Sequence, residues 1–375
     1  MRSLLIYTTQ FFLTCALGVV FVFLEDVQTM FGLADWEIGL IAGTGFGASF
    51  LAQIILSPLA DRGLVVPLAI VAIGTGILGP IGFAFGSSAV VLAISRGLTG
   101  IGLGLFSLLA RKALIGSDAE GGGAKLGILL SISVAGFIAG PLIGAALEPV
   151  GFEAPFILVS VVLLLIGVPA TSAILRSDIA AAPVNYGDIG RLLVRPKVQA
   201  AMVVQVIVFG FIGVFDATID RFLTDLGAST NMVAVVIIFV GAPLLIFPRF
   251  AGNLAEARGG ANVMLPALIL LIAAVTGYAF AGGIAAAIAF GVVHGTGESF
   301  SSVSSQVLVL EVTGAERAAV GSALLDAAGL STAAVAAFVS PLAYGAYGQT
   351  MFLYTAIIGA VLSAAATIRV RNAWD

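Results

Sequence analysis

The sequence predicts an all-α polytopic membrane protein built from two similar halves. Only 10% of its 375 residues are charged and 60% are hydrophobic, and the mean hydropathy is +1.17. Soluble domains carry about 25% charged residues, so lipid is the expected solvent. The apolar runs are continuous rather than alternating, which favours helices over a β-barrel. A short charged turn recurs half a chain later, which indicates an internal duplication.

The number of spans follows from the chain length. At roughly 20 apolar residues per spanning helix, the chain has room for about ten to twelve spans. We predict twelve, arranged as six plus six. The first run is too long for a signal-peptide core, so we expect it to be a retained helix. The predicted spans are 4–25, 36–57, 65–86, 88–110, 126–147, 152–174, 198–221, 230–251, 262–281, 283–309, 319–343 and 350–368.

The longest polar stretch of the chain lies between the two predicted halves. It contains Arg176, Pro183, Asp188 and Lys197, and it is typical of a linker. We therefore predict an N-terminal six-helix bundle over 1–175, a cytoplasmic linker over 176–197 and a C-terminal six-helix bundle over 198–375.

The distribution of lysine and arginine predicts the orientation in the membrane, because these residues concentrate in cytoplasmic loops. Of the 16 in the chain, Arg96 falls within a predicted span and Arg221 at the outer end of one. The other fourteen lie on one predicted side of the membrane, so we expect both termini to be cytoplasmic, in an inner or plasma membrane. They are Arg2, Arg62, Arg111, Lys112, Lys125, Arg176, Arg191, Arg195, Lys197, Arg249, Arg258, Arg317, Arg369 and Arg371.

The duplication extends beyond the charged turn. At an offset of 195 positions, Leu59-Ala60-Asp61 is matched by Leu254-Ala255-Glu256, and Gln10 is matched by Gln205. The same offset pairs the following residues: Gly82-Phe83-Ala84-Phe85 with Gly277-Tyr278-Ala279-Phe280, and Gly100 and Gly102 with Gly295 and Gly297. Both copies run in the same direction with an even number of spans. A pseudo-two-fold axis along the membrane normal is therefore predicted, with a cavity between the halves.

Three motifs in order resemble the major facilitator superfamily, and the resemblance covers nearly the whole chain. They are Leu59-Ala60-Asp61-Arg62 between the second and third spans, Arg96-x-x-x-Gly100-x-Gly102 in the fourth, and Gly136-x-x-x-Gly140-Pro141-x-x-Gly144 in the fifth. The first motif departs from the family pattern at Ser57, Leu64 and Val65-Val66. The fifth-span motif is similar to that of proton-coupled efflux members, with Ala145 in place of the last glycine.

This resemblance implies a monomeric secondary transporter that works by alternating access. Proton-coupled export of a small organic compound is the expected activity, and uptake or facilitated diffusion of a sugar, organic acid or amino acid is the alternative. A non-transporting membrane sensor or scaffold is the alternative from another functional class. The resemblance also implies a cytoplasmic gate formed by Asp61, Arg62, Arg111, Glu256 and Arg258. The alternative for Asp61 is a solvated loop acid that only helps topology.

Arg96 is a candidate cavity residue because a charge at a helix centre costs on the order of 2.5–3.5 kcal/mol on insertion scales. It needs a partner or water, and Glu25 or Asp26 at the outer end of the first span is the expected partner. A purely structural ion pair is the alternative. Asp220, with Asp216 nearby, lies at the outer end of the seventh span, where mixed charges also satisfy one another without any further role.

His294 and Glu298 are the sharpest candidates for proton handling. They are four residues apart and therefore share a helix face, and His294 is the single histidine of the chain. Imidazole and a desolvated carboxyl group both titrate near physiological pH. The alternative is a polar seam, continued by Ser301, Ser302 and Ser305, that bonds to neighbouring helices.

The remaining features concern packing and the classes of protein that the sequence disfavours. Gly136, Gly140 and Gly144 allow close helix packing, and Pro141 is a candidate kink, so this seam is also a candidate hinge. No hydrolase triad, metal-ligand cluster or phosphate-binding loop is visible, so we expect no enzyme activity, cofactor or metal. No basic run points to nucleic acid. The expected partners are a small-molecule substrate, protons and the lipid bilayer.

Overall fold

A computed structural model describes residues 2–115, 122–175, 186–313 and 318–371. Every regular element in these ranges is helical. Continuous helices are what a membrane interior demands, because each backbone N–H and C=O group must find a partner within its own segment. The chain divides into two compact units, 1–183 and 184–375.

The first unit contains seven α-helices and two short 3-10 turns. Helix α1 passes into a 3-10 turn at Val19–Val22, and a second turn, Glu148–Val150, precedes the last helix. The helices are α1 (Arg2–Gly18), α2 (Leu24–Phe31), α3 (Asp35–Asp61), α4 (Val65–Ala84), α5 (Ala89–Ile115), α6 (Gly122–Leu147) and α7 (Ala154–Leu175).

The second unit begins with a short helix in the predicted linker, of which residues 176–185 lie outside the described ranges. A 3-10 turn at Gly348–Thr350 precedes the last helix. The helices are α8 (Tyr186–Leu193), α9 (Pro196–Asp225), α10 (Thr230–Ile246), α11 (Pro248–Arg258), α12 (Gly260–Tyr278), α13 (Ile284–Thr313), α14 (Ala318–Tyr347) and α15 (Met351–Arg371).

One predicted span is broken. Helices α10 and α11 meet at an angle of 44° around Phe247. Pro243 lies inside α10 and Pro248 begins α11. Proline lacks the N–H group that would continue the helical ladder, which accounts for a sharp bend at this place. The equivalent helix of the first unit, α3, runs unbroken.

The number of spans agrees with twelve. By length and apolar character, the described residues give nine candidate spans, and the bent pair α10–α11 gives a tenth. One of the nine, Val320–Arg371, covers nearly all of α14 and the whole of α15. Helix α13 is 30 residues long but is not among them, because its histidine, glutamate and serines make it less apolar. The predicted all-α membrane fold is confirmed, and the chain is an integral membrane protein.

The same helix pairs pack together in each unit. In the first unit α5 packs against α3 and α4, while α1 packs against α6 and α7. In the second unit α13 packs against α10 and α12, while α9 packs against α14 and α15. The packing therefore follows the order of the duplicated helices.

The duplication is also visible at single contacts. A Cβ atom added at Gly102 of α5 would lie 2.8 Å from the carbonyl oxygen of Ala72 on α4. One added at Gly297 of α13 would lie 3.0 Å from the carbonyl oxygen of Ala267 on α12. Both pairs are related by 195 positions, so each copy uses its glycine for the same close approach of two backbones.

Candidate functional site

The second unit contains a buried group of three polar side chains, Tyr278, His294 and Glu298, which we call the histidine cluster. His294 Nε2 lies 3.5 Å from Glu298 Oε2, and its Nδ1 lies 3.2 Å from the Tyr278 hydroxyl oxygen. The exposed fractions are 1% for Tyr278 and 2% for His294. The Glu298 side chain is 12% exposed and is the most accessible of the three.

Aromatic rings surround the imidazole. The Phe215 ring of α9 meets it edge-on at a centroid distance of 5.2 Å, and the Tyr278 ring lies 5.8 Å away. A crevice with about 170 Å³ of empty space lies beside them, lined by Phe211, Val214, Phe215, Val275, Tyr278, His294, Phe352 and Thr355, and it is nowhere wide enough for a water molecule. The imidazole is therefore screened from water on this side.

The sequence brings His294 and Glu298 together, since their spacing places them on one helix face, but it gives no partner for Nδ1. Tyr278 ends α12, sixteen residues before His294, and only the packing of α12 against α13 joins them. Its sole sequence signal is its place in the repeated block Gly277-Tyr278-Ala279-Phe280, where the first copy has Phe83.

Two buried glutamines hold the helix cores together in equivalent places. Gln10 of α1 donates to Ser107 Oγ at 2.9 Å and to Ser133 Oγ at 3.0 Å. Gln205 of α9 donates to Ser305 Oγ at 2.9 Å and to Ser302 Oγ at 3.4 Å. Both the glutamines and the serines Ser107 and Ser302 are separated by 195 positions. Ser302 and Ser305 of the predicted seam thus bond a neighbouring helix, whereas Ser301 donates to the Gly297 carbonyl of its own helix. His294 and Glu298 belong to the histidine cluster.

Arg96 is buried on α5 and contacts the point where α1 changes its helical geometry. Its Nη1 donates to the carbonyl oxygen of Leu17, just before the 3-10 turn Val19–Val22. Its guanidinium carbon lies 4.6 Å from the centroid of the Phe21 ring. A carbonyl at a helix break needs a donor, and Arg96 supplies one along with a cation–π contact. An ion pair with Glu25 or Asp26 stays a prediction.

The acids that the sequence places at the outer helix ends differ in their environments. Glu25 is half-buried on α2, and Asp220 is buried on α9 with an exposed fraction of 5%. Burial raises the pKa of Asp26 above its ordinary value, and repulsion from the Glu148 carboxylate raises it by a smaller amount. Near the end of α9, Asp225 Oδ2 accepts a hydrogen bond of 2.8 Å from the Tyr344 hydroxyl.

The glycine seam of α6 lies against α1 and the 3-10 turn. A Cβ atom at Gly136 would collide with Thr14 and the Phe11 carbonyl, and one at Gly140 would lie 2.6 Å from the Cys15 carbonyl oxygen. One at Gly144 would lie 2.8 Å from the Val22 side chain. Pro141 lies inside α6 in the same stretch. These glycines permit close packing, and their role as a hinge stays a prediction.

The predicted gate residues lie at helix ends. Asp61 is the last residue of α3, and its side chain falls outside the described part of the structure. Arg62, Glu256 and Arg258 are exposed, and Arg111 is half-buried near the end of α5. The gate therefore stays a prediction.

Glu311, which the sequence analysis did not single out, lies beside the loop that follows Arg258. Glu311 Oε1, near the end of α13, accepts a 2.8 Å hydrogen bond from the backbone N–H of Gly260 at the start of α12. A carboxylate is favoured at a helix N-terminus. The contact ties α13 to the loop that follows Arg258.

Within the described ranges, no group of three or more histidine, cysteine, aspartate or glutamate side chains is arranged to hold a metal ion. The arrangement that the structure does present is an imidazole between a carboxyl and a phenol. Such a group can take up, hold and release a proton.

The chain was compared with known proteins. No protein-family model matches it, and no curated protein matches it by sequence. Solved structures do match. A bacterial homologue of the human lysosomal transporter Spinster, in an inward-facing unoccupied conformation, gives a TM-score of 0.80 at 15% identity, over 99% of this chain and 96% of that one. The same homologue in an occupied conformation gives 0.78 at 14% identity, over 98% and 96% of the two chains.

A third match is a variant of the nucleoside transporter NupG. It gives a TM-score of 0.79 at 13% identity and covers 98% of this chain and 100% of that one. The likeness extends over nearly the full length of each protein. The chain therefore has the major facilitator fold, as the sequence motifs indicated.

Proposed function

We propose that this membrane protein is a secondary transporter of a small organic compound, and that the histidine cluster couples its transport to protons. The fold is shared with two transporters. The observation that carries the coupling is the buried contact of 3.5 Å between His294 and Glu298. An ionisable pair inside a spanning helix is costly, and such residues mark ion or substrate pathways.

The geometry supports a proton rather than a metal or a sodium ion as the coupling ion. Imidazole and carboxyl groups exchange protons near neutral pH. The aromatic rings of Phe215 and Tyr278 lie beside the imidazole and do not supply the six or more oxygen ligands that a hard cation such as Ca²⁺ prefers. Glu298 is the more accessible member.

In the proposed cycle the two six-helix halves alternate between inward-open and outward-open states. Both termini are cytoplasmic, as the lysine and arginine distribution favours. Asp61, Arg62, Arg111, Glu256 and Arg258 close the cytoplasmic side, and the seam of Gly136, Gly140, Pro141 and Gly144 is the hinge. Arg96, with Glu25, Asp26 and Asp220, lines the substrate path. The protein works as a monomer and catalyses no chemical conversion.

Export is the favoured direction, because the glycine–proline pattern of α6 resembles that of proton-coupled efflux members. Uptake of a small metabolite is the second candidate, and likeness to a nucleoside transporter favours including nucleosides. The substrate panel therefore contains nucleosides, sugars, organic acids, amino acids and amphipathic cations.

The test is a flux measurement in proteoliposomes loaded with a pH-sensitive dye. Addition of a transported compound is expected to move protons in the wild type. Glu298→Gln should abolish this proton movement while the protein remains folded and inserted. The matched control, Glu153→Gln, removes an exposed carboxylate and should behave as the wild type.

Two results would count against the proposal. If no compound in the panel causes proton movement, a non-transporting sensor or scaffold becomes the better description. If Glu298→Gln carries coupled flux at the wild-type rate, the transporter assignment survives but Glu298 is not the coupling residue.

A further inference from the structure

We propose that Tyr278 is a positioning residue whose hydroxyl reverses its hydrogen bond to His294 when the histidine cluster takes up a proton. In the deprotonated cluster the hydroxyl donates to Nδ1, and in the protonated cluster it accepts from Nδ1. The inference rests on the proposed function, because the reversal serves coupling only if His294 and Glu298 carry the transported proton.

The direction of the bond in the deprotonated cluster follows from donor and acceptor capacity. An ionised Glu298 can only accept, so the nitrogen that faces it, Nε2, must carry the hydrogen. A neutral imidazole has one N–H group, so Nδ1 is then a bare acceptor. The Tyr278 hydroxyl, 3.2 Å from Nδ1, must donate. The cluster in this state has one negative charge.

Uptake of one proton from the aqueous phase neutralises the cluster. If the proton converts His294 to imidazolium, both ring nitrogens carry hydrogen beside an ionised Glu298. If Nε2 then passes its hydrogen to Glu298 Oε2, the carboxyl group becomes neutral while Nδ1 keeps its hydrogen. The two arrangements have the same proton count, so the pair titrates as a unit. In both, Nδ1–H points at Tyr278, whose hydroxyl must accept.

The surroundings give Nδ1 no other described partner. Helix α9 presents the Phe215 ring, followed in the chain by Asp216, and α10 contributes Val240 beside Gly291. Helix α10 has no charged residue, and Tyr278 is the only ionisable residue of α12. The adjoining crevice has no space for water. The hydroxyl of Tyr278, which can both donate and accept, is therefore the described group that can bond Nδ1 whether or not that nitrogen carries hydrogen.

The single histidine of the chain makes the test direct. Protein labelled with ¹⁵N-histidine and reconstituted into lipid nanodiscs gives one pair of ring nitrogen signals, which report the hydrogen on each nitrogen. In the wild type, Nε2 is expected to carry hydrogen and Nδ1 to be bare at alkaline pH. On acidification Nδ1 should gain hydrogen.

Tyr278→Phe removes the acceptor that Nδ1–H needs. In the imidazolium arrangement Nδ1–H is a charged donor, and a hydrogen bond from a charged donor is stronger than one between neutral groups, so this arrangement loses more than the deprotonated cluster does. The midpoint for hydrogen on Nδ1 should fall by about one pH unit, which is about a tenfold weaker proton affinity. The matched control is Tyr344→Phe, because that hydroxyl donates to Asp225 and not to His294. Its midpoint should equal that of the wild type.

The inference is overturned if Nδ1 stays bare in acidified wild type, which would place the proton on the other oxygen of Glu298. It is also overturned if a folded Tyr278→Phe titrates as the wild type does. The wild-type spectrum decides even if the variant misfolds. The measurement needs no substrate, so a responsive Nδ1 with no coupled flux would overturn the proposed function alone. Coupled flux with an unresponsive Nδ1 would overturn this inference alone.

Discussion

Replacing Gly102 by alanine tests the close packing of α4 and α5 that the duplication repeats in α12 and α13. A Cβ atom at Gly102 would lie 2.6 Å from the Gly76 nitrogen and 2.8 Å from the Ala72 carbonyl oxygen. Ordinary contacts are 3.4–4 Å. The blocking atoms belong to the backbone, so no side-chain rotation relieves the collision, and the helices must separate by several tenths of an ångström.

The expected cost follows from two opposing effects. Overpacking a tight core destabilises by about 1–3 kcal/mol. Alanine is a better helix former than glycine, and this difference stabilises the folded helix by up to about 1 kcal/mol. Because the collision is with backbone atoms, the overpacking cost is expected at the upper end of its range, and Gly102→Ala should lower the free energy of unfolding by about 2 kcal/mol. Gly97→Ala on the same helix is the matched control, because its Cβ would lie 3.8 Å from Ala48. It should be neutral or slightly stabilising.

The assay is unfolding in mixed micelles titrated with a denaturing detergent and followed by circular dichroism. The chain offers an additional probe, since its one cysteine, Cys15, is fully buried in α1. Labelling of Cys15 by a thiol reagent should be faster in Gly102→Ala than in Gly97→Ala. A Gly102→Ala protein as stable as Gly97→Ala would refute the reasoning. So would Gly297→Ala behaving as a neutral change, because the second copy has the same geometry.

Two further substitutions test contacts outside the histidine cluster. Arg96→Lys keeps the charge but loses the planar guanidinium that lies over Phe21 and donates to the Leu17 carbonyl. It should therefore lower the free energy of unfolding by about 1–2 kcal/mol. A stability equal to that of the wild type would contradict the role of Arg96 at the helix break. Glu311→Gln should weaken the cap on α12 by about 0.3–1 kcal/mol and speed hydrogen exchange of the Gly260 amide, whereas the exposed Glu256→Gln should leave that amide unchanged; equal exchange in both variants would show that Glu311 is not the cap.

Much of the fold is predictable from the sequence because lipid imposes a simple rule. Apolar helices must be continuous, so their number and positions follow from the apolar runs, as they do here for twelve spans. The duplication was likewise visible as paired glycines and paired glutamines. The structure explains why those positions repeat. Gly102 and Gly297 permit close backbone approach, and Gln10 and Gln205 each hydrogen-bond serines of neighbouring helices.

The site was only half predictable, because its members come from different helices. The spacing of His294 and Glu298 is a property of one helix and can be read directly. Tyr278 belongs to α12, and nothing in the pattern of α12 indicates which residue it meets. The contact of Arg96 with the Leu17 carbonyl depends on a change from α to 3-10 geometry inside an apolar run. Gly18 lies at that change, but the matching Gly213 lies inside the continuous helix α9, so the glycine alone does not predict it.

The two copies differ where ionisable groups are concerned, and this difference bears on mechanism. The glycines and glutamines that pack the helices occur in both copies, but the histidine cluster occurs in one. Its members and their counterparts 195 positions earlier are Tyr278 and Phe83, His294 and Thr99, and Glu298 and Leu103. A proton that binds the cluster therefore changes the charge of the second unit alone. A ligand shifts a conformational equilibrium only by its differential affinity for the two states. A proton site in one unit shifts the equilibrium only if its proton affinity differs between the two states, and because the first unit has no matching site, that difference must arise in the surroundings of the histidine cluster.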